Sequence, residues 1–167
     1  MDTTRKLLKH FLAALAYRTQ KALRNAPEEF AEFRVKPGVR TPHELLCHMS
    51  SVLIYARSFF EGETWRPEMM PTFQEEIHRF HETLESLGQF LDSETPFRNT
   101  TPERMLQGPF SDVMTHAGQM AMLRRLYGDP VPPENFIMAS IDPQNLGPNQ
   151  PDPVSPDKDW REPGKSE

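Results

Sequence analysis

Cysteine is almost absent from this chain: Cys47 stands alone among 167 residues, so no internal disulfide can form and packing must hold the fold. A single thiol fits a reducing compartment, and a cytoplasmic location is the expectation. Long apolar runs are missing as well. The stretch from Phe11 to Tyr17 falls far short of the roughly 20 residues a bilayer requires and lacks a small-residue cleavage site, so neither export nor a membrane span is expected. No stripe of Lys and Arg is present either, and 19 basic against 24 acidic residues leave a net charge of -5, which argues against nucleic acid as a partner. Gly-x-Ser-x-Gly, a phosphate-cradling glycine loop and Cys-x-x-Cys are all lacking, which removes support for nucleophilic-serine, nucleotide and thiol-disulfide chemistry. Internal repeats are absent, and no alternating segment demands a sheet.

What is present is helical periodicity. At this length about two-thirds of the unfolded chain's surface can be buried, enough for one domain with a core that needs no structural metal. Leu7, Leu8, Phe11, Leu12, Leu15 and Leu23 recur at spacings of three and four, predicting a helix from Thr4 to Arg24 with one buried face. Pro27, Pro37 and Gly38 break the period over residues 25–40, while Phe30 and Phe33 should hold that connection down. Thr41-Pro42-His43-Glu44 reads as a capping box with proline at the first helical position, opening a second helix to about Phe60. The sharpest period follows, Ile77, Phe80, Leu84, Leu87 and Leu91, and defines a third helix. Thr101-Pro102-Glu103 starts a fourth, interrupted at Gly108-Pro109 because proline cannot donate to the ladder, and ended at Tyr127 by Gly128. A short fifth piece is expected around Glu134 to Ala139. Four helices with separate apolar stripes point to an all-α four-helix bundle. Nine of the seventeen prolines fall after Tyr127, so the C-terminal part should be extended, anchored by Phe136, Ile141 and Trp160 on its own bundle or on a second subunit.

The chemistry-bearing residues concentrate on two of these helices. Asp112 and His116 lie four apart on the fourth, project from one face and can reach one cation. His48 on the second helix borders the stripe from Leu45 to Val52, which places its imidazole near the interior. Two imidazoles and one carboxylate leave coordination positions open, as a catalytic divalent metal needs. Each residue also has an ordinary reading. Asp112 sits where a helix dipole favours an acid, and a buried histidine can simply be hydrogen-bonded in a core.

The segment Asp112-Val113-Met114-Thr115-His116-Ala117-Gly118-Gln119, with Leu123-Arg124-Arg125-Leu126, Gly128 and Leu45-Leu46-Cys47-His48, resembles the DinB/YfiT-like metal-binding superfamily over roughly residues 1–140. The resemblance implies an up-down-down-up bundle over residues 1–140, followed by an extended proline-rich tail over 141–167. It implies a divalent metal, zinc, nickel or iron, held by His48 at the family's first position and His116 at its last, with Asp112 where the family usually has histidine. It further implies a homodimer acting on a small-molecule substrate by metal-dependent hydrolysis or by transfer or isomerisation with a low-molecular-weight thiol. The rival reading is a non-catalytic dimeric metal-binding or stress-associated protein, and no general base is evident beside the ligands. A DNA-associated role is opposed by the acidic balance.

The remaining candidates carry two readings each. Gly118 suits a close helix approach, and Gln119 suits a hydrogen bond that orients a ligand. Arg124 and Arg125 either complement the helix dipole or grip an anion. His78 and His81 flank the third stripe and are expected at the surface or its edge. Cys47 points about 100 degrees away from His48 around the helix, as a small buried hydrophobe would, and Met114, Met120 and Met122 are expected as core filler.

Overall fold

Three of the four long helices begin at a side chain that satisfies their first free N–H groups. In the computed structural model, which describes residues 2–63 and 66–157, α1 (Thr3–Leu23) is capped by Asp2, α2 (Pro42–Glu61) by Thr41 and α3 (Phe73–Asp92) by Thr72. Both threonines form complete capping boxes, Thr41 with Glu44 and Thr72 with Glu75. The fourth long helix is reached differently: one turn, α4 (Pro102–Met105), runs through a wide π-type segment (Leu106–Phe110) into α5 (Ser111–Tyr127). Gly128 ends α5 in the left-handed conformation at φ 94°, which costs glycine nothing.

The chain is all-α, with no strand among the described residues and one isolated bridge between Glu134 and Pro156. Among the described residues no helix is long and apolar enough to cross a membrane. α1 packs against α3 and α5, and α2 packs against the same two, so each helix buries its stripe into one common core. Leu12, Leu15, Met49, Leu53, Phe80, Leu84, Leu87 and Met120 are fully enclosed there. Phe30, in a short turn at Glu28–Glu32, closes one end, as the aromatic residues of that connection suggest. Leu7 departs from its stripe and is 62% exposed, because it falls on the outer flank of α1. Met122, expected in the core, is likewise exposed.

The extended segment after α5 docks on its own chain as far as residue 157. The fifth helical piece is shorter than expected, a single turn at Phe136–Met138. Phe136 meets Tyr17 edge-on, and Ile141 packs partly on the core. Trp160 lies outside the described residues. Leu146 is a further anchor: it is 4% exposed and seats over α3 at Gly88, where an added Cβ would come within 2.4 Å of it.

That docking corrects the expectation for His81. The imidazole is buried at 1% exposure, and its Nδ1 lies 2.8 Å from the Leu146 carbonyl, a partner from 65 residues further along the chain. His78 is exposed beside Glu82, as expected. Burial pushes the His81 pKa down from 6.5 to about 4, against the smaller upward pull of the Leu146 carbonyl. Between those two values the unfolded chain binds a proton here that the folded chain does not, so this contribution is complete above pH 6.5 and fades as pH falls toward 4. Urea unfolding at pH 7 and pH 4 should show wild type losing up to about 3 kcal/mol more than His81→Gln over that interval. Equal losses in the two proteins would remove His81 as the source.

Candidate metal centre

The kink before α5 sets the position of its ligands. Pro109 has no N–H to give and crowds the turn before it, so the ladder opens at Gly108, whose φ of -93° and ψ of -106° are not helical. Ser111 Oγ takes over by donating to the Leu106 carbonyl at 2.6 Å. α5 restarts there, which puts Asp112 in its first turn and His116 one turn on, both on the side that faces α2. On α2, Met49 and Leu53 bury in the core and leave His48 half-buried at the seam with α5.

The three side chains meet. One ligand atom from each of His48, Asp112 and His116 lies within 4.8 Å of the others, and the group could hold a metal ion. His116 Nε2 is 3.4 Å from Asp112 Oδ1, about the separation of two ligands around one tetrahedral ion with bonds near 2.1 Å. The His48 and His116 rings stand nearly perpendicular with centroids 4.8 Å apart. His116 is buried, His48 half-buried and Asp112 exposed, so the cluster has one side in the fold and one in solvent.

Hydrogen bonding and burial of the imidazoles favour ligation. Gln119, one turn after His116, accepts from His116 Nδ1 at 2.8 Å, which leaves the Nε2 lone pair turned toward Asp112. The orienting role expected of Gln119 is therefore present. His48 is held below its ordinary pKa, first by burial, then by Arg40 and His116, with Asp112 pulling the other way. A neutral imidazole is the form that binds metal.

An open cleft adjoins His48, lined by Arg40, Glu44, Cys47, Ser51, Tyr55 and Arg66 among others, and a second hollow on the Asp112 side shares Val52 and Tyr55 with it. Arg40 and Arg66 make no ion pair with a carboxylate among the described residues, so the cleft offers two guanidinium groups to an incoming molecule. Glu44 does not serve as a base: its hydrogen bond from Arg34, aided by the Thr41 N–H, holds its carboxyl below the usual range. Cys47 is only half-buried, contrary to the expectation of a hydrophobe in the core, and its Sγ faces Arg79 at 3.6 Å. Burial pushes its thiol up, so it remains protonated and a poor nucleophile.

Three further candidates are placed elsewhere. Gly118 makes no close helix approach, since an added Cβ there meets nothing within 4 Å. Arg124 does not face an anion site. Its guanidinium is buried and donates to the Ala22 carbonyl at 2.9 Å, the Asp129 carbonyl at 3.1 Å and the Asp129 carboxylate, fastening the end of α5 to the end of α1. Arg125 borders a separate hollow between α1 and α5. The arginines of the cleft were missed because they come from irregular connections, where no period marks them. Compared with known protein families, with curated proteins and with solved structures, the chain matches none.

Proposed function

We propose that the chain is a divalent-metal-dependent enzyme of the DinB-like class, an up-down-down-up four-helix bundle acting as a cytoplasmic homodimer on a small molecule by hydrolysis or thiol-dependent transfer. The observation that carries the reading is the meeting of His48, Asp112 and His116 at the mouth of an open cleft. Two imidazoles and a carboxylate suit zinc, nickel or iron, and the open side leaves room for a substrate and a low-molecular-weight thiol. A divalent ion bound there supplies Lewis-acid activation of an electrophile and lowers the pKa of a nucleophile. Gln119 fixes the His116 tautomer, and the core behind His116 excludes water from one side. Arg40 and Arg66 hold and orient an anionic group of the substrate at the cleft wall.

The exposure of Asp112 favours a second reading, a non-catalytic dimeric metal-binding protein in which the ion is held weakly. Metal analysis of untagged protein purified without added metal separates the two. About one equivalent of ion per chain supports the enzyme, and none supports the second reading. Light scattering on the same sample should give the mass of a dimer, and a mass near 19.3 kDa would remove the dimer.

A further inference from the structure

A separate cavity of ≈ 260 Å³ lies between α1, α5 and the strap that follows α5. Its floor is made of residues with almost no side chain: Ala22 and Ala117 are buried, and Gly118 leaves open space where a Cβ would stand. That floor explains why Gly118 is open although no helix approaches it. The outer wall is Phe136, carried by the strap. It is fixed in place by Glu134, whose side chain is fully buried and accepts from the Tyr17 hydroxyl at 2.8 Å and from Lys21 Nζ at 2.7 Å. Cations border the apolar slot. The Arg18 guanidinium stacks over the Phe136 ring at 3.8 Å and makes no hydrogen bond to a carboxylate among the described residues, and Arg125 lines the same hollow from α5. Among the described residues the acid beside this wall is Glu134, which pairs directly with Lys21 at 2.7 Å and acts on Arg18 only through space, so two cations face one carboxylate here.

An apolar slot with a guanidinium at its rim, inside a chain of net charge -5, selects for one chemistry. We infer that this cavity binds a small carboxylate with an apolar or aromatic body, the body lying over Ala117 and Gly118 against Phe136 and the carboxylate meeting Arg18. The site is independent of the His48, Asp112 and His116 cluster, which faces α2 on the other side of α5.

The test uses the full-length protein labelled with nitrogen-15, titrated with phenylacetate and with its neutral counterpart phenylacetamide. Phenylacetate should shift the amide signals of Gly118 and Phe136 saturably, and phenylacetamide should bind at least about 10-fold more weakly. Arg18→Gln should bring the two affinities together. Gly118→Leu, which fills the slot, should abolish the shifts of Phe136 while the rest of the spectrum stays folded. The chelator EDTA should leave phenylacetate binding unchanged, which separates this site from the metal centre. Equal affinity for the acid and the amide, shifts confined to Arg40, His48 and Arg66, or retained binding in Gly118→Leu would overturn the proposal. Shifts of the same signals with protein concentration alone would assign the groove to a second copy of the chain and overturn it equally.

Discussion

Protein carrying His116→Ala should bind zinc on the order of 100-fold or more weakly than wild type, because it loses both a ligand and the only one of the three that is buried and already oriented. The comparison comes from partners outside the ligand set, whose loss typically costs 10–100-fold; Gln119→Ala should fall in that range and His116→Ala beyond it. His48→Ala should weaken binding similarly, leaving the two ligands of α5 with no partner from α2. Asp112→His should tighten binding, since a third imidazole replaces an exposed carboxylate. None of these changes removes a side chain of the apolar core cluster, and His116 lies at its edge, so helical content and unfolding midpoint without metal should stay close to wild type. Competition titration with a chromophoric chelator measures all four. If His48→Ala and His116→Ala bind as wild type does, the three side chains share no ion.

Replacing Arg79 by methionine should cost about 3–5 kcal/mol, the largest loss expected from a single change here, because it strands a buried carboxylate. Glu76 is completely enclosed on α3. Its Oε1 accepts from Arg79 Nε at 3.0 Å and from Ser50 Oγ on α2 at 2.8 Å, and its Oε2 accepts from the second arm of Arg79 and from the Met70 N–H at 3.2 Å. Arg79 also donates to the Glu68 carbonyl at 2.7 Å. The pair thus pins α3 to α2 and to residues 66–71, the connection that brings Arg66 to the cleft. Glu76→Leu combined with Arg79→Met removes both charges and should recover most of the loss, since no orphaned charge remains. Urea unfolding at pH 7 measures both variants. A loss under about 1 kcal/mol in Arg79→Met would show that solvent reaches Glu76.

The helices were legible because their information is local. Thr41 and Glu44, Ile77 through Leu91, and Gly128 each specify structure within a few residues, and each is found as read. The candidate metal cluster was half local. Asp112 and His116 are four apart on one helix, whereas the facing of His48 toward them required a resemblance to supply the helix pairing. What escaped is non-local. His81 looked like an edge residue because the strap that covers it returns from far along the chain. Arg124 looked like a dipole partner until the end of α1 proved to be its acceptor. Glu76 and Arg79 drew no notice in the sequence, because three apart on a helix they carry no signal of burial, and only the packing of Ser50 and Met70 against them makes the pair interior.

The strap after α5 is held by side chains at separate points rather than by a ladder: Glu134 on Tyr17 and Lys21, Leu146 over Gly88, and Asp152 on Arg24. Its prolines contribute no N–H groups, so its attachment adds almost nothing to the molecule's repeating amide pattern. Detachment would therefore be spectroscopically quiet in the far ultraviolet, with helix content intact, while the imidazole of His81 became accessible to water and to acid.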